Sequence, residues 1–268
     1  MGLSAQFIES EPNKLLALYF DSMLRKLGPQ GWWPARTRFE VIVGAILTQN
    51  TSWRNVVLAL RGLRQKGLLD LERLQHASFT EIETCIRPSG FYRQKARTLR
   101  SFVDRLKRHY GSSLARLFTR PPEELRGDLL EIKGLGPETV DSILLYAGRR
   151  PYFVADAYTR RVMERHGLVP PNAGYGKVQE FLHNHLPADP YMFNEYHALL
   201  VEVGKRYCKR PAPLCGGCPL EEFLTGSRAR EVVRESRAVR ERQRGHPVQS
   251  TRMLRTVPEV RSIGRNGQ

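Results

Sequence analysis

Apolar residues recur along the chain at helical spacing, as in Leu15, Leu16, Tyr19, Phe20 and Met23, or Val56, Val57, Leu60 and Leu63. Each such set falls on one face of a helix. Alternating apolar and polar runs of the kind a half-buried strand needs are rare. Pro12, Gly28, Gly31, Pro34, Gly111, Pro121, Gly134, Gly136, Pro151, Gly167, Pro170 and Pro187 read as punctuation between the helical stretches. The pattern predicts an all-α architecture of roughly ten helices with short connectors. It changes after about Gly226. Residues 227–268 hold eleven Arg and no Lys against four Glu, with scattered apolar positions. This stretch reads as a basic, mobile tail that either adds nonspecific phosphate affinity or is a merely solvated extension.

Composition sharpens the picture. With 268 residues and 41% hydrophobic content the chain has the means to build a packed core. No apolar run reaches the roughly eighteen residues of a membrane span, and MGLSAQFIESEPNK lacks the basic start and apolar stretch of a signal peptide. A cytoplasmic location is expected. The 43 Lys and Arg against 27 Asp and Glu give a net charge of +16, which suits a polyanionic partner. Nucleic acid is the first candidate, and charge alone leaves ribosomal and membrane-surface roles open. Cys208, Cys215 and Cys218 crowd into one short stretch, a pattern of metal or cluster sites more than of disulfide frameworks.

The most informative segment runs from Leu129 to Ala147, LLEIKGLGPETVDSILLYA. An amphipathic helix ends at Ile132-Lys-Gly-Leu-Gly136, two glycines allow a tight turn with positive φ, and Pro137 opens the next helix. This is a helix-hairpin-helix pattern. Backbone amides around Gly134 and Gly136, free of bulky side chains, suit close approach to a DNA phosphate, although a Gly-rich turn between packed helices gives the same pattern. Downstream, Tyr152-Phe-Val-Ala-Asp-Ala-Tyr-Thr-Arg-Arg161 places Asp156 at the start of another helix, where an N-cap and a catalytic carboxylate look alike.

From about Phe39 to Cys218 the sequence resembles the endonuclease III superfamily of helix-hairpin-helix DNA glycosylases, in which a hairpin is followed by a catalytic aspartate. Gly134, Gly136, Asp156 and Arg160 carry the resemblance. It implies a two-domain helical fold: a six-helix barrel domain with the hairpin at 36–148, and a second helical domain with the cysteine loop, built from 1–35 and 149–226. Damaged double-stranded DNA enters the cleft between them, bound by a monomer. The hairpin carbonyls of Leu130, Ile132 and Leu135 would hold a monovalent cation. The stretch Phe39–Trp53 resembles the family segment whose glutamine fills the gap left by a flipped nucleotide, and Gln49 takes that position. Ile86–Ala96 resembles the loop that wedges into the opposite strand, with Phe91 and Tyr92 as wedges and Arg93 and Lys95 reaching phosphates.

Trp32-Trp33-Pro34 cannot point both indoles into one core, and Trp53 lies just beyond Gln49. Together they resemble the base pocket of the 3-methyladenine DNA glycosylase branch of the superfamily. Electron-rich indoles favour a cationic ring by about 0.5–2 kcal/mol, and a base alkylated at a ring nitrogen is such a cation. Packing of the tryptophans at a domain junction is the alternative.

Two departures from the family pattern are informative. Endonuclease III proper places a nucleophilic lysine two residues after the second hairpin glycine, where this chain has Glu138. A carboxylate cannot form an imine, so the expected enzyme is a monofunctional base-excision glycosylase without lyase activity, with Asp156 stabilising the oxocarbenium charge and Glu138 assisting. The family's iron–sulfur loop has four cysteines; here Cys208, Cys215 and Cys218 match and Leu224 stands in the fourth place. Cys85 lies in the other domain. The loop is compatible with a [4Fe–4S] cluster on three thiolates and an outside ligand, or with a lost cluster whose loop still positions Lys205, Arg206, Lys209 and Arg210 on DNA. The alternative functions are a glycosylase for oxidised pyrimidines or mismatches, and a DNA-binding hairpin module without catalysis.

Overall fold

A computed structural model describes residues 11–224, among which there are helices and connectors and no strand. The basic tail expected at 227–268 lies outside the described residues. Twelve helices follow in chain order: α1 (Glu11–Leu27), α2 (Arg38–Thr48), α3 (Trp53–Gln65), α4 (Leu71–His76), α5 (Phe79–Ile86), α6 (Tyr92–Tyr110), α7 (Leu114–Leu117), α8 (Pro122–Leu130), α9 (Pro137–Ser142), α10 (Ala157–Arg165), α11 (Tyr175–His185) and α12 (Pro190–Arg206). Helix α9 runs on through one wider π turn, Ile143–Ala147. Local chemistry sets many of the starts. Thr37, Ser52, Asp70, Ser78, Ser113, Asp156 and Asp189 each stand at an N-cap and accept the backbone amide three residues on. Ser78 and Glu81 form a full capping box. Pro12 lies within the first turn of α1, where a missing N–H costs nothing, and so does not precede the helix as its punctuation.

The apolar faces form two cores. One gathers α2 to α9, with Ile42, Ile46, Leu63, Leu74, Phe102 and Leu125 at its centre. The other gathers α1 and α10 to α12, with Leu16, Tyr19, Phe153, Phe193 and Tyr196. The π turn serves both: Ile143, Leu144 and Ala147 belong to the first core and Leu145 to the second, while Tyr146 packs against both.

Asp141, on α9 and fully buried, binds the elements around this junction. The Arg126 guanidinium from α8 bonds both of its oxygens, at 2.7 and 3.1 Å. From α11, the Tyr175 hydroxyl and the Gln179 amide also donate to it, at 2.8 and 2.7 Å. The same Gln179 nitrogen donates to the Phe153 carbonyl at 2.7 Å, three residues before Asp156. Four donors satisfy the buried carboxylate, which is the condition for keeping a charge inside.

Lys95 overturns its sequence assignment. Its side chain is 3% exposed, and its ammonium donates to the carbonyls of Leu47 and Ser89 at 2.9 and 2.7 Å. It staples the head of α6 to the end of α2 and offers nothing to a phosphate. Burial lowers it to about 8. The unfolded chain therefore binds the extra proton between about pH 8 and the ordinary lysine value near 10.5, so this site's contribution to stability rises with pH across that window. Lys95→Met is expected to remove that pH-dependent part from urea-unfolding curves taken between pH 7 and 10. It should leave the slope of log K against log salt for duplex binding unchanged, whereas a phosphate contact would lower it by nearly one.

Candidate active site

The hairpin is the turn between α8 and α9. Gly134 has φ +96°, and a Cβ there would lie 2.2 Å from the Thr98 hydroxyl of α6, so only glycine fits. Gly136 differs from expectation: it is the extended N-cap of α9, with φ −93° and open space around it. Its missing side chain leaves the helix start uncovered instead of relieving strain. Gln49 closes α2 at the hairpin, donating from its amide to the Gly134 carbonyl at 2.9 Å and the Thr139 hydroxyl at 2.8 Å. In this arrangement its amide is engaged with the hairpin and does not project.

The hairpin, the end of α2 and helix α12 enclose a cavity of about 270 Å³. Trp32, Trp33, Trp53, Gln49, Glu138 and Asp156 all line it, so six sequence candidates converge on one space. The indoles contact one another: Trp33 stands edge-on to Trp32 and Trp53, with centroids 5.8 and 5.1 Å away, and Trp32 lies 6.0 Å from Trp53. Gly44 on α2 makes room for this, because a Cβ there would come within 3.1 Å of the Trp33 ring. Pro34 is a correction: it is exposed and absent from the lining, since the chain has already turned toward α2.

Asp156 caps α10, its Oδ1 accepting the Thr159 amide at 2.8 Å. Its Oδ2 lies 3.7 Å from Nε2 of His197 on α12. Burial would raise its carboxyl, but the facing imidazole and then the Thr159 amide and hydroxyl outweigh burial and hold it below the usual value. Glu138 moves the other way. Crowding by the surrounding protein and then the negative charge of Asp156 push it up, with His197 and Arg160 opposing. As a residue Glu138 is exposed at the cavity mouth, so the displacement is modest. The two carboxyl groups are thus displaced in opposite directions, Asp156 down and Glu138 up.

Several lining residues carry no sequence motif. Tyr146, Tyr158, His197, Val201 and Lys205 join the wall. His197, Val201 and Lys205 are spaced by four on α12 and so share one helix face, a signal visible only once that face is known to border the site. The Lys205 ammonium lies 5.3 Å from the Trp32 ring centroid and 3.2 Å from a Glu202 oxygen. Arg160 borders a separate cavity of about 430 Å³ with Arg161, Arg165 and Arg210. Phe91 stands 68% exposed in a left-handed conformation ahead of α6, while Tyr92 is half-buried against the first core.

The cysteine loop follows α12. Cys208, Cys215 and Cys218 line one cavity with Leu224 among its walls. Among the described residues no three His, Cys, Asp or Glu side chains are disposed to hold a metal ion. The loop is instead clasped by α10. Arg161 donates to the carbonyls of Cys208 at 2.6 Å and Gly204 at 3.2 Å. Arg165 donates to those of Lys209 and Pro211 and to the Cys208 sulfur. Burial pushes the Cys218 thiol up to about 11, with the Leu220 amide opposing and the neighbouring Cys215 and Cys208 adding to the rise. With Leu224 in the fourth position, the loop offers three cysteines to one cavity, and a [4Fe–4S] cluster there would need an outside ligand. Cys85 lies buried in the first core.

Comparison with known proteins places this geometry. Residues 43–188 match the HhH-GPD superfamily base excision DNA repair protein family. The chain is 42% identical over 214 residues to the inferred DNA repair glycosylase MJ1434 of Methanocaldococcus jannaschii, covering 79% of this chain and 97% of that one. A solved structure of the Helicobacter pylori 3-methyladenine DNA glycosylase bound to 1,N6-ethenoadenine is 26% identical. It superposes with a TM-score of 0.62 over 74% of this chain and 98% of its own. A non-covalent endonuclease III–DNA complex shares the fold at 21% identity, with a TM-score of 0.70 over 83% of this chain and 98% of its own. The chain therefore belongs to the HhH-GPD, endonuclease III-like superfamily and is a DNA glycosylase of base excision repair.

Proposed function

We propose that this glycosylase is monofunctional: it releases a damaged base of the alkylated-purine class by hydrolysis and leaves the abasic strand intact. The observation that carries the reading is the single cavity that holds three indoles together with Asp156 and Glu138. A base turned out of the duplex would lie among Trp32, Trp33 and Trp53, whose π faces attract a ring made cationic by alkylation. Asp156, kept ionised, stabilises the positive charge that develops on the sugar as the N-glycosidic bond lengthens. It also takes a proton from the attacking water. Glu138, with its raised carboxyl, contacts the departing base. Gly134 and Gly136 present hairpin amides to a phosphate, and the carbonyls of Leu130, Ile132 and Leu135 are the hard oxygen donors that would hold a monovalent cation there. Gln49 fills the vacated stack after leaving its hairpin partners, Tyr92 and Phe91 part the opposite strand, and Arg160 holds backbone phosphate. The reading keeps a domain of 36–148 and a second of 1–35 with 149–226, the base entering between them.

A set of duplexes, each with one lesion, tests the substrate class. Release from the alkylated-purine duplex is expected to exceed release from oxidised-pyrimidine and mismatch duplexes; the reverse order sinks the substrate reading. On the best substrate, Asp156→Asn is expected to slow release by about 10²–10⁴-fold. Asparagine caps a helix as well as aspartate does, so folding should persist, and binding to abasic-site duplex should stay within about threefold. Equal losses of rate and binding would make Asp156 a structural cap only.

Strand cleavage is a separate test. Without an amine at position 138, no imine should form at the sugar. Lys205 borders the cavity, but its nitrogen is turned to Glu202 at 3.2 Å. Borohydride added during turnover is expected to trap no protein–DNA adduct, and strands should break only on later alkali treatment. Efficient trapping that disappears in Lys133→Ala or Lys205→Ala would restore a lyase.

A further inference from the structure

His197 and Tyr146 form a connected unit behind Asp156 that no motif of the family pattern assigns. His197 is 6% exposed within α12. Its Nδ1 is hydrogen-bonded to the Tyr146 hydroxyl. Its Nε2 is buried without a hydrogen-bond partner and lies 3.7 Å from Oδ2 of Asp156, while Oδ1 of that carboxylate is held by the Thr159 amide at 2.8 Å. Tyr146 sits on the π turn, and its ring packs against Trp33 with centroids 5.1 Å apart. A π turn widens a helix by one residue, and such turns gather at functional sites.

We infer that His197, oriented by the Tyr146 hydroxyl, is a positioning residue that clamps the second oxygen of Asp156 and links the carboxylate to the tryptophan wall of the pocket. The inference rests on Asp156 being the carboxylate that drives base release. The hydrogen-bond direction follows from chemistry. Tyr146 is enclosed, and burial together with the charge of Asp156 raises its phenol well above its ordinary value, so it keeps its proton. With Nδ1 engaged by the Tyr146 hydroxyl, the imidazole presents its Nε2 hydrogen to Asp156. A buried N–H without an acceptor is costly, and this carboxylate is the acceptor in front of it.

The choice of residue matters for the reaction. A lysine or arginine here would pair with Asp156 and cancel the negative charge that the sugar cation needs. An imidazole N–H fixes the carboxylate's plane through a single directed hydrogen bond. His197 cannot itself take the water's proton in this arrangement, because Nδ1 is occupied by Tyr146 and Nε2 carries the hydrogen. Its role runs through Asp156.

Single-turnover excision on the best duplex of the lesion set, read beside affinity for abasic-site duplex and Tm, tests the inference. Tyr146→Phe, which removes only the donor that sets the imidazole tautomer, should slow excision by about 10–100-fold. Duplex affinity should stay within about threefold. His197→Gln keeps an N–H toward Asp156 and should lie within about fivefold of the parent, whereas His197→Leu should lose at least about 100-fold. In the His197→Gln background, Tyr146→Phe should add nothing, because an amide has no tautomer to set. The inference is overturned if Tyr146→Phe excises at the parental rate, if its effect persists in the His197→Gln background, or if rate falls only in step with Tm and affinity. Should His197→Leu fail to fold, the Tyr146→Phe and His197→Gln cycle decides alone. An active Asp156→Asn would sink the underlying reading, whereas an inactive Asp156→Asn beside a normal Tyr146→Phe would sink this one only.

Discussion

One continuous helical stretch, Pro137–Ala147, belongs to both cores, and the site depends on that sharing. Its start closes the hairpin, its middle buries Asp141 under four donors, and its π turn hands Leu145 to one core while Ile143 and Leu144 stay in the other. A regular α turn keeps one face toward one neighbour. The extra residue in the π turn re-aims the side chains, so Tyr146 touches both cores and reaches the pocket. Asp141 then fixes the register of this stretch against α8 and α11. Through Gln179 it also holds the Phe153 carbonyl, three residues ahead of the capping aspartate. Positioning of Asp156 is thus a consequence of a buried ion pair on another helix.

The sequence made some of this legible and hid the rest for physical reasons. Helical periodicity and capping residues act locally, so the all-α class and the start of α10 at Asp156 could be read from neighbouring positions. Gly134 was legible because its φ demands glycine; Gly136 was legible as a glycine but not for its reason. Lys95 misled because burial is not a local property. Its head of α6 folds under the Leu47 and Ser89 carbonyls, which lie 48 and six residues away in sequence. Pro34 misled because adjacency to two pocket tryptophans does not survive a change of chain direction. His197 was hidden on a helix whose other faces are core, with nothing local to mark the face that meets the cavity, and Lys205, read as a DNA contact beside the cysteine loop, lines that cavity.

The cysteine loop is held to α10 by arginine side chains. Two arginines one turn apart on α10, Arg161 and Arg165, hold the carbonyls of Gly204, Cys208, Lys209 and Pro211. Each of these is a charge-assisted hydrogen bond, stronger than a neutral one. They tie the loop to the very helix whose first turn carries Asp156. Any pull on the loop is felt along α10, and the guanidiniums spent on carbonyls are unavailable to phosphate.

The electrostatics of the cavity follow from its shared walls. Asp156 and Glu138 both face it and shift oppositely: Asp156 is held down, against burial, by the facing imidazole and the Thr159 amide, whereas for Glu138 burial and the charge of Asp156 outweigh His197 and Arg160. The compensating cation, Lys205, sits over the Trp32 face and is held there by Glu202, so it does not neutralise Asp156 directly. A cationic base entering this space meets a net negative floor and aromatic sides with one cation at the rim. The attraction is therefore strongest on the side of Asp156, the side on which the sugar must develop its own charge. On the proposed reading, one field serves both steps, drawing in a charged base and then stabilising the charge passed to the sugar.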